Sequence, residues 1–201
     1  MHTEHTVPED LSVLDCITRR RAVRSYLSDP IRRPIIERLI EAATLAPSAV
    51  NLQPWAFAVV QDRQILDRLS ADAKSLLLAE PPGPEVMASG LPALTHLRDT
   101  VAKPDYDLFH GAGTLIAIYA VATHGVPDCY LAGENLMLAA CALGLASCPI
   151  GLALPILQRP EVKAELGIEP EWTAALPIVV GLPGGETPPT PRRPPLVTAW
   201  L

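Results

Sequence analysis

Residues 131–143 read LAGENLMLAACAL, and this stretch decides the fold. On a helix that runs from about Cys129 to Leu145, these residues are apolar on nearly all sides and leave no face for solvent. A helix of this kind is central in its fold. We therefore expect a sheet to pack on one side of it and a partner subunit on the other.

Three short apolar runs predict the strands of that sheet. They cover residues 57–60, 114–121 and 174–180, and each has the length and the composition of a buried strand. A short helix is expected between the central helix and the last of these strands.

Helical patterns fill the N-terminal part of the chain. A first helix is expected from about Glu9 to Thr18, with Leu11, Leu14 and Ile17 on one face. A second starts near Pro34 and stops before Pro47, and a third covers residues 65–77. The order of the elements predicts an α+β fold, in which helices flank a central mixed or antiparallel sheet.

The composition is that of one globular domain that binds another subunit. A length of 201 residues fits a single domain over residues 1–201, with a proline-rich C-terminal arm at 183–201. Hydrophobic residues make up 49%, charged residues only 19%, and the mean hydropathy is +0.23, so we expect part of the surface to be covered by a partner. The net charge of −6 and the lack of a basic stripe argue against nucleic acid as a partner.

No targeting or membrane signal is evident. Residues 1–10 carry two histidines and three acidic groups but no apolar core, which argues against a signal peptide. The longest apolar run, Leu136 to Ala146, is too short to span a bilayer and is interrupted by Gly144. We therefore expect a cytoplasmic protein with no membrane contact.

Metal, disulfide and dinucleotide motifs are incomplete in this sequence. The four cysteines form no C-x-x-C pair and have no histidine at zinc-ligand spacing, so neither a metal site nor a disulfide is predicted. Cys148 is either a reactive thiol or a small buried hydrophobe. Residues 111–113 begin a G-x-G-x-x-G fingerprint, but Ile116 replaces its third glycine and the segment enters a strand.

A basic run, Arg19 to Arg24, follows the first helix. Arg20, Arg21 and Arg24 are close enough in sequence to converge on one anion, and guanidinium groups donate paired charge-assisted hydrogen bonds to phosphate. The run is therefore either a phosphate site or a solvated basic turn.

A second candidate segment is the loop 47–55, PSAVNLQPW, which two prolines bracket between a helix and a strand. Its hydroxyl and two amides offer the donors and acceptors that the edge of a heteroaromatic ring requires. The alternative is structural, with Ser48 capping a turn and Asn51 stabilising the loop.

These segments resemble the motifs of the nitroreductase family over about residues 11–200. Residues 20–26 are similar to its R-R-S-x-R-x-[FY] opening, and residues 47–55 to its P-S-S-x-N-x-Q-P-W loop. Residues 144–151 are similar to its G-L-G-x-C-x-I-G turn. Residues 181–183 and 191–194 are similar to its G-[YL]-P strand end and its K-P-R-x-P tail.

The resemblance implies an intertwined homodimer with one FMN at each of two subunit interfaces. Arg20, Arg21, Arg24 and Arg192 would hold the phosphate and ribityl end. Asn51 would lie near the flavin, Ser48 and Ala49 would come across the interface, and backbone groups of residues 149–151 would face the ring. The full set of implied cofactor contacts is Arg20, Arg21, Ala22, Arg24, Pro47, Ser48, Ala49, Asn51, Gln53, Pro149, Ile150, Gly151 and Arg192.

Four positions depart from the family pattern. Ala22 and Ala49 replace serines, Ala146 replaces a glycine and Thr190 replaces a lysine. A lost hydrogen bond to a charged group costs roughly 1.5 to 3 kcal/mol. We therefore expect FMN to bind about 10-fold or more weakly than in a typical member.

The implied activity is hydride transfer from NADH or NADPH through FMN to a small electrophile such as a nitroaromatic or a quinone, in a ping-pong cycle. The flavin carries this chemistry, so no side chain is assigned as catalytic. His96 and His110 flank a charged segment that either forms a lid which selects the substrate or is ordinary surface. The alternatives are dehydrogenation, dehalogenation or flavin fragmentation on the same fold, flavin binding without turnover, and a dimeric scaffold without cofactor.

Overall fold

The computed structural model describes residues 11–79, 92–121 and 123–201. Within these ranges the chain forms four strands and seven helices, besides three single turns of 3₁₀ helix. In chain order they are α1 (Val13–Arg19), α2 (Arg33–Thr44), β1 (Trp55–Val60), α3 (Arg63–Ala79), α4 (Pro92–Val101), β2 (Leu115–Ala120), α5 (Val126–Ala142), β3 (Ala146–Pro149), α6 (Leu154–Leu157), α7 (Pro160–Glu165) and β4 (Thr173–Gly181).

The four strands form one antiparallel sheet in the order β1-β2-β4-β3. The three predicted strands are present. The sheet, which was predicted to be mixed or antiparallel, is antiparallel. Strand β3 was not predicted, because the sequence analysis treated residues 144–151 as a turn. The turn is confined to Gly144, with φ 72°, and Ala146 to Pro149 then pair with β4.

The sheet is buried on both faces, so the fold has three layers. Every residue of β2 is buried, and alternation sends Leu115, Ala117 and Tyr119 to one face and the residues between them to the other. The first face packs on α3 and the chain after β3, and the second packs on α2 and α5. Burial on both faces explains why the strands read as continuous apolar runs.

The predicted central helix is α5, and its place against the sheet is confirmed. Six of its residues are buried, but Tyr130 and Leu131 remain 48% and 47% exposed. No helix within the described ranges is long and apolar enough to cross a membrane.

The first helix begins later than its pattern predicted, at Val13. Ser12 caps it: the Asp15 N–H donates to the Ser12 hydroxyl, and the Asp15 carboxylate accepts from the Ser12 N–H. Residues 9 and 10 of the predicted helix lie outside the described ranges. Cys16 is the buried residue of α1, whereas Leu14 and Ile17 face outward.

Candidate functional site

A cavity of about 230 Å³ lies where the basic run meets the sheet edge and the start of the C-terminal arm. It is lined by Arg19, Arg20, Arg21, Val23, Cys141, Gly144, Leu145, Ala146, Ser147, Pro183, Gly185 and Thr187. Three consecutive arginines on one wall make this cavity a candidate for an anionic ligand.

The backbone of the basic run is fixed along the free edge of β3. Ala22 forms a parallel bridge with Ser147, and the Val23 N–H donates to the Ser147 carbonyl at 3.2 Å. Further along, Tyr26 bridges to Pro183. Because the Val23 and Tyr26 side chains are buried, the arginines between and before them are held on the outer side.

The three predicted arginines have different surroundings. Arg20 is mostly buried, and its Nε donates to Glu134 Oε1 at 3.1 Å. Arg21 turns back, and its Nη1 donates to the carbonyls of Thr18 and Arg20 at the end of α1. Arg24 is exposed and does not line the cavity. The structure thus places Arg20 and Arg21 together at the cavity and Arg24 beyond it.

The segment Pro149-Ile150-Gly151 begins at Pro149, the last residue of β3. Proline has no N–H, and the Ile150 N–H donates to the Pro177 carbonyl at 2.8 Å. The N–H of Gly151 is therefore the donor that this segment can offer to a ligand. Gly151 is exposed, and a Cβ built on it would meet nothing within 4 Å, so its backbone is open to approach.

The loop 47–55 lies apart from the cavity. Val50, Asn51 and Gln53 have φ of 44°, 57° and 48°, which is an uncommon conformation for residues with side chains. The Gln53 N–H donates to the Ser48 hydroxyl at 2.9 Å, so Ser48 has the structural role that the sequence left open. None of residues 47–53 lines the described cavity.

Two contacts join this loop to the central helix, and one of them is a 3.8 Å hydrogen bond from Cys129 Sγ to the Pro54 carbonyl. The Ala49 N–H donates to the Asp128 carboxylate at 3.3 Å. Val50 is 91% exposed, and Asn51 is exposed beside it. The loop presents its amide and an apolar side chain outward, and nothing in the described part of the chain covers them.

The C-terminal arm contributes little to the site within one chain. Residues 183–201 are exposed throughout, including Arg192. Pro183, Gly185 and Thr187 line the cavity, and the arm then leaves it. Arg192 does not line the cavity, so within one chain it is not brought together with Arg20 and Arg21 there.

A group of buried polar rings lies near the basic run, and the sequence analysis did not assign it to the site. The Tyr26 hydroxyl is buried and has no hydrogen-bond partner among the described residues. Tyr106 and His110 meet edge to face at 6.0 Å between ring centroids. Burial, and secondarily the Arg24 guanidinium, lowers the pKa of His110.

The charged segment between His96 and His110 is folded rather than loose. Its first part is helix α4, which was not predicted, and the Asp107 carboxylate accepts from the N–H groups of Phe109 and Gly111. His110 is half-buried with φ 58°. The His96 side chain lies outside the described residues, and a lid role for this segment stays a prediction.

Cys148 behaves as a small buried residue. It is 2% exposed, and burial raises the pKa of its thiol even though Arg24 and Arg20 oppose that shift. A raised thiol pKa disfavours the reactive thiolate. All four cysteines are free, and no group of three or more possible ligands for a metal ion occurs among the described residues.

Sequence reasoning missed Glu134, which makes the ion pair to Arg20. Glu134 lies 114 residues from Arg20 and is the only acid in the apolar stretch 129–145. A lone charge inside an otherwise apolar helix was the available signal, because such a charge needs a partner.

Comparison with known proteins agrees with this architecture. The sequence profile of the nitroreductase family matches residues 17–182. The chain belongs to the nitroreductase family. The resemblance drawn from the motifs is thereby confirmed, and so is the nitroreductase-like α+β fold.

Two relatives and one solved structure illustrate the match. An NADH dehydrogenase of Thermus thermophilus is 33% identical over 194 residues, which are 92% of this chain and 94% of the relative. A candidate NADH dehydrogenase/NAD(P)H nitroreductase of Archaeoglobus fulgidus is 33% identical over 132 residues, 66% of this chain and 63% of that protein. A nitroreductase from Bacteroides fragilis, solved with bound FMN, superposes with a TM-score of 0.77 at 26% identity and covers 94% of this chain and 98% of its own.

Proposed function

We propose that this chain is an FMN-dependent oxidoreductase that passes hydride from NADH or NADPH to a small electrophile such as a nitroaromatic or a quinone. The observation that carries the proposal is the arginine-lined cavity at the edge of β3. Family membership and the FMN in the B. fragilis structure support the choice of cofactor.

The residues at the cavity fit the phosphate end of FMN. Arg20 and Arg21 present guanidinium groups on one wall, and the chain around Gly185 leaves the opposite side without bulky side chains. The exposed N–H of Gly151 fits a carbonyl or ring nitrogen of a flavin. Arg24 and Arg192 are both exposed, so each is available to add charge at the rim.

In the proposed mechanism, bound FMN would accept hydride from the nicotinamide and donate it to the acceptor. Arg20 and Arg21 would bind the phosphate and fix the position of the cofactor. The Gly151 N–H would orient the ring edge, and the buried side chain of Val23 in the cavity lining would exclude water from one side. The protein thus supplies binding and orientation, and we assign no side chain to proton transfer.

The same proposal includes a homodimer. Val13 and Leu14 on α1 are 69% and 74% exposed, and α1 packs on α5, which carries the exposed Tyr130 and Leu131. The arm ends in further exposed apolar residues, including Trp200 at 90%. Apolar surface on this scale favours a second subunit, which would also cover the outward amide loop at 47–55.

Absorbance spectroscopy on protein that has been reconstituted with FMN and desalted tests the proposal. NADH and then NADPH are added without oxygen to wild type, to Arg20→Ala and to Arg33→Ala, an exposed arginine on α2 that is the matched control for loss of positive charge. We expect wild type and Arg33→Ala to retain more flavin than Arg20→Ala, at least one nicotinamide to bleach the visible flavin band, and the band to recover when a quinone is added. Retained flavin that neither nicotinamide reduces would favour flavin binding without turnover, and no retained flavin would reject the site.

A further inference from the structure

Glu134 is the acidic side chain that faces the basic run from the central helix. Its Oε1 accepts from Arg20 Nε at 3.1 Å, and the two side chains are 45% and 21% exposed. The pair joins residues 114 positions apart. It therefore ties the basic run to α5, in addition to the backbone contacts that tie it to β3.

The geometry of the pair leaves the other edge of the Arg20 guanidinium open. Glu134 contacts Nε alone, and among the described residues Nη1 and Nη2 of Arg20 make no other hydrogen bond or ion pair. A guanidinium is planar, so fixing one edge fixes the direction of the other. The Nη1–Nη2 edge can then form the paired hydrogen bonds that phosphate accepts.

Neither of the other two predicted arginines is held in this way. Arg21 Nη1 is engaged by the carbonyls of Thr18 and Arg20, and Arg24 is exposed with only a 3.4 Å contact to the Ala22 carbonyl. Arg20 is consequently the arginine of the cavity that another side chain orients. A carboxylate also cancels part of the positive charge beside the cavity, so its benefit has to come from orientation.

We propose that Glu134 is a positioning residue that orients Arg20 toward the phosphate of FMN. The inference rests on the proposed function, because it requires that the phosphate end of the cofactor occupy the cavity lined by Arg20. Glu134 itself does not touch the cofactor in this arrangement. Its effect should therefore be confined to ligands that carry the phosphate.

Titration of the full-length protein with FMN and with riboflavin, which lacks the phosphate, tests the inference. Glu134→Ala should weaken FMN binding about 5-fold, the scale of a partly exposed ion pair, and leave riboflavin binding unchanged. Glu134→Gln retains an oxygen that accepts from Arg20 Nε and removes the charge, so it should bind FMN at least as tightly as wild type. Glu37→Ala is the matched control, because Glu37 forms an exposed ion pair with Arg33 on α2.

The outcomes are distinguishable. Equal or tighter FMN binding by Glu134→Ala would overturn the inference, and so would an equal loss for FMN and riboflavin, which would indicate a general structural role. Urea denaturation of each variant shows whether folding is intact, and Glu134→Gln provides the comparison if Glu134→Ala is unstable. If wild type binds neither ligand, the proposed function fails and the inference fails with it.

Discussion

The basic run at 19–26 and the amide loop at 47–55 differ in how much of the chain holds them. The basic run is bonded to β3 through Ser147 and to α5 through Glu134, and it lines the cavity. The loop is held near its two ends, where the Asp128 carboxylate accepts from the Ala49 N–H and the Pro54 carbonyl accepts from the Val121 N–H, whereas Val50 between them is exposed. The difference fits the proposed homodimer, in which the basic run is positioned within one chain and the exposed middle of the loop faces the second subunit.

The largest effect that we expect is on FMN binding by mixed dimers, in which the two subunits carry different substitutions. Arg20→Ala should weaken FMN binding roughly 10-fold to 100-fold through lost charge-assisted hydrogen bonds. Asn51→Gly removes the amide and tolerates φ 57°. If each site takes Arg20 from one subunit and Asn51 from the other, a heterodimer of the two variants retains one intact site.

Titration with FMN measures the result on differently tagged subunits that are co-expressed and purified as the mixed dimer. We expect half of the wild-type sites to bind with wild-type affinity, while each variant homodimer has none. A mixed dimer without any tight site would place Arg20 and Asn51 of one chain in the same site and would contradict the comparison. The Arg33→Ala variant controls for the loss of an arginine.

Substitutions at two glycines compare how rigidly the chain is packed next to the basic run and next to the amide loop. A Cβ at Gly113 would lie 2.3 Å from the Ser28 carbonyl oxygen and 2.8 Å from Pro30 N, next to the basic run. Backbone cannot yield easily, so we expect Gly113→Ala to lower the free energy of unfolding by about 2 to 3 kcal/mol. A Cβ at Gly125 would lie 2.6 Å from the Pro54 ring in the amide loop, where the nearest atoms are side chain rather than main chain, and we expect about 1 kcal/mol.

Urea denaturation of both variants measures this asymmetry. Gly185→Ala is the control, since a Cβ there would meet nothing within 4 Å. A greater loss of stability at Gly125 than at Gly113 would mean that the amide loop is the more rigidly held region.

A pH effect at His110, whose carbonyl accepts from the Tyr26 N–H just after the basic run, is the smallest that we expect. Burial, and then Arg24, holds the pKa of His110 below its ordinary value of 6.5, with Asp107 opposing. The unfolded chain therefore binds this proton first, and His110 reduces stability as the pH falls below about 6.5. No residue of the loop at 47–55 titrates in this range.

Urea denaturation at pH 7.5 and pH 5.5 tests the sign. His110→Asn accommodates φ 58° and removes the titration, so the variant should lose less stability on acidification than wild type does. The other four histidines are present in both proteins, so the difference between the two reports on His110. An unchanged or steeper loss in the variant would contradict the assignment.

Much of this protein could be predicted from its sequence, because the signals are local. The apolar periodicity of residues 131–143 predicted a central helix, and three apolar runs predicted three of the four strands. The motifs at 20–26 and 47–55 predicted the family, because their residue types and spacing are specific. Strand β3 was not predicted, because its four residues include a serine and a proline and give too weak a pattern of apolar residues.

Only the tertiary structure decided how the candidate site is put together. Pairing of Ala22 with Ser147 and of Arg20 with Glu134 joins segments more than 100 residues apart, and no local pattern encodes such contacts. The sequence by itself determined which groups are available for a phosphate and a ring, since charge and hydrogen-bonding capacity belong to the residue. Which arginine is oriented, and which loop faces outward, depends on packing between distant elements.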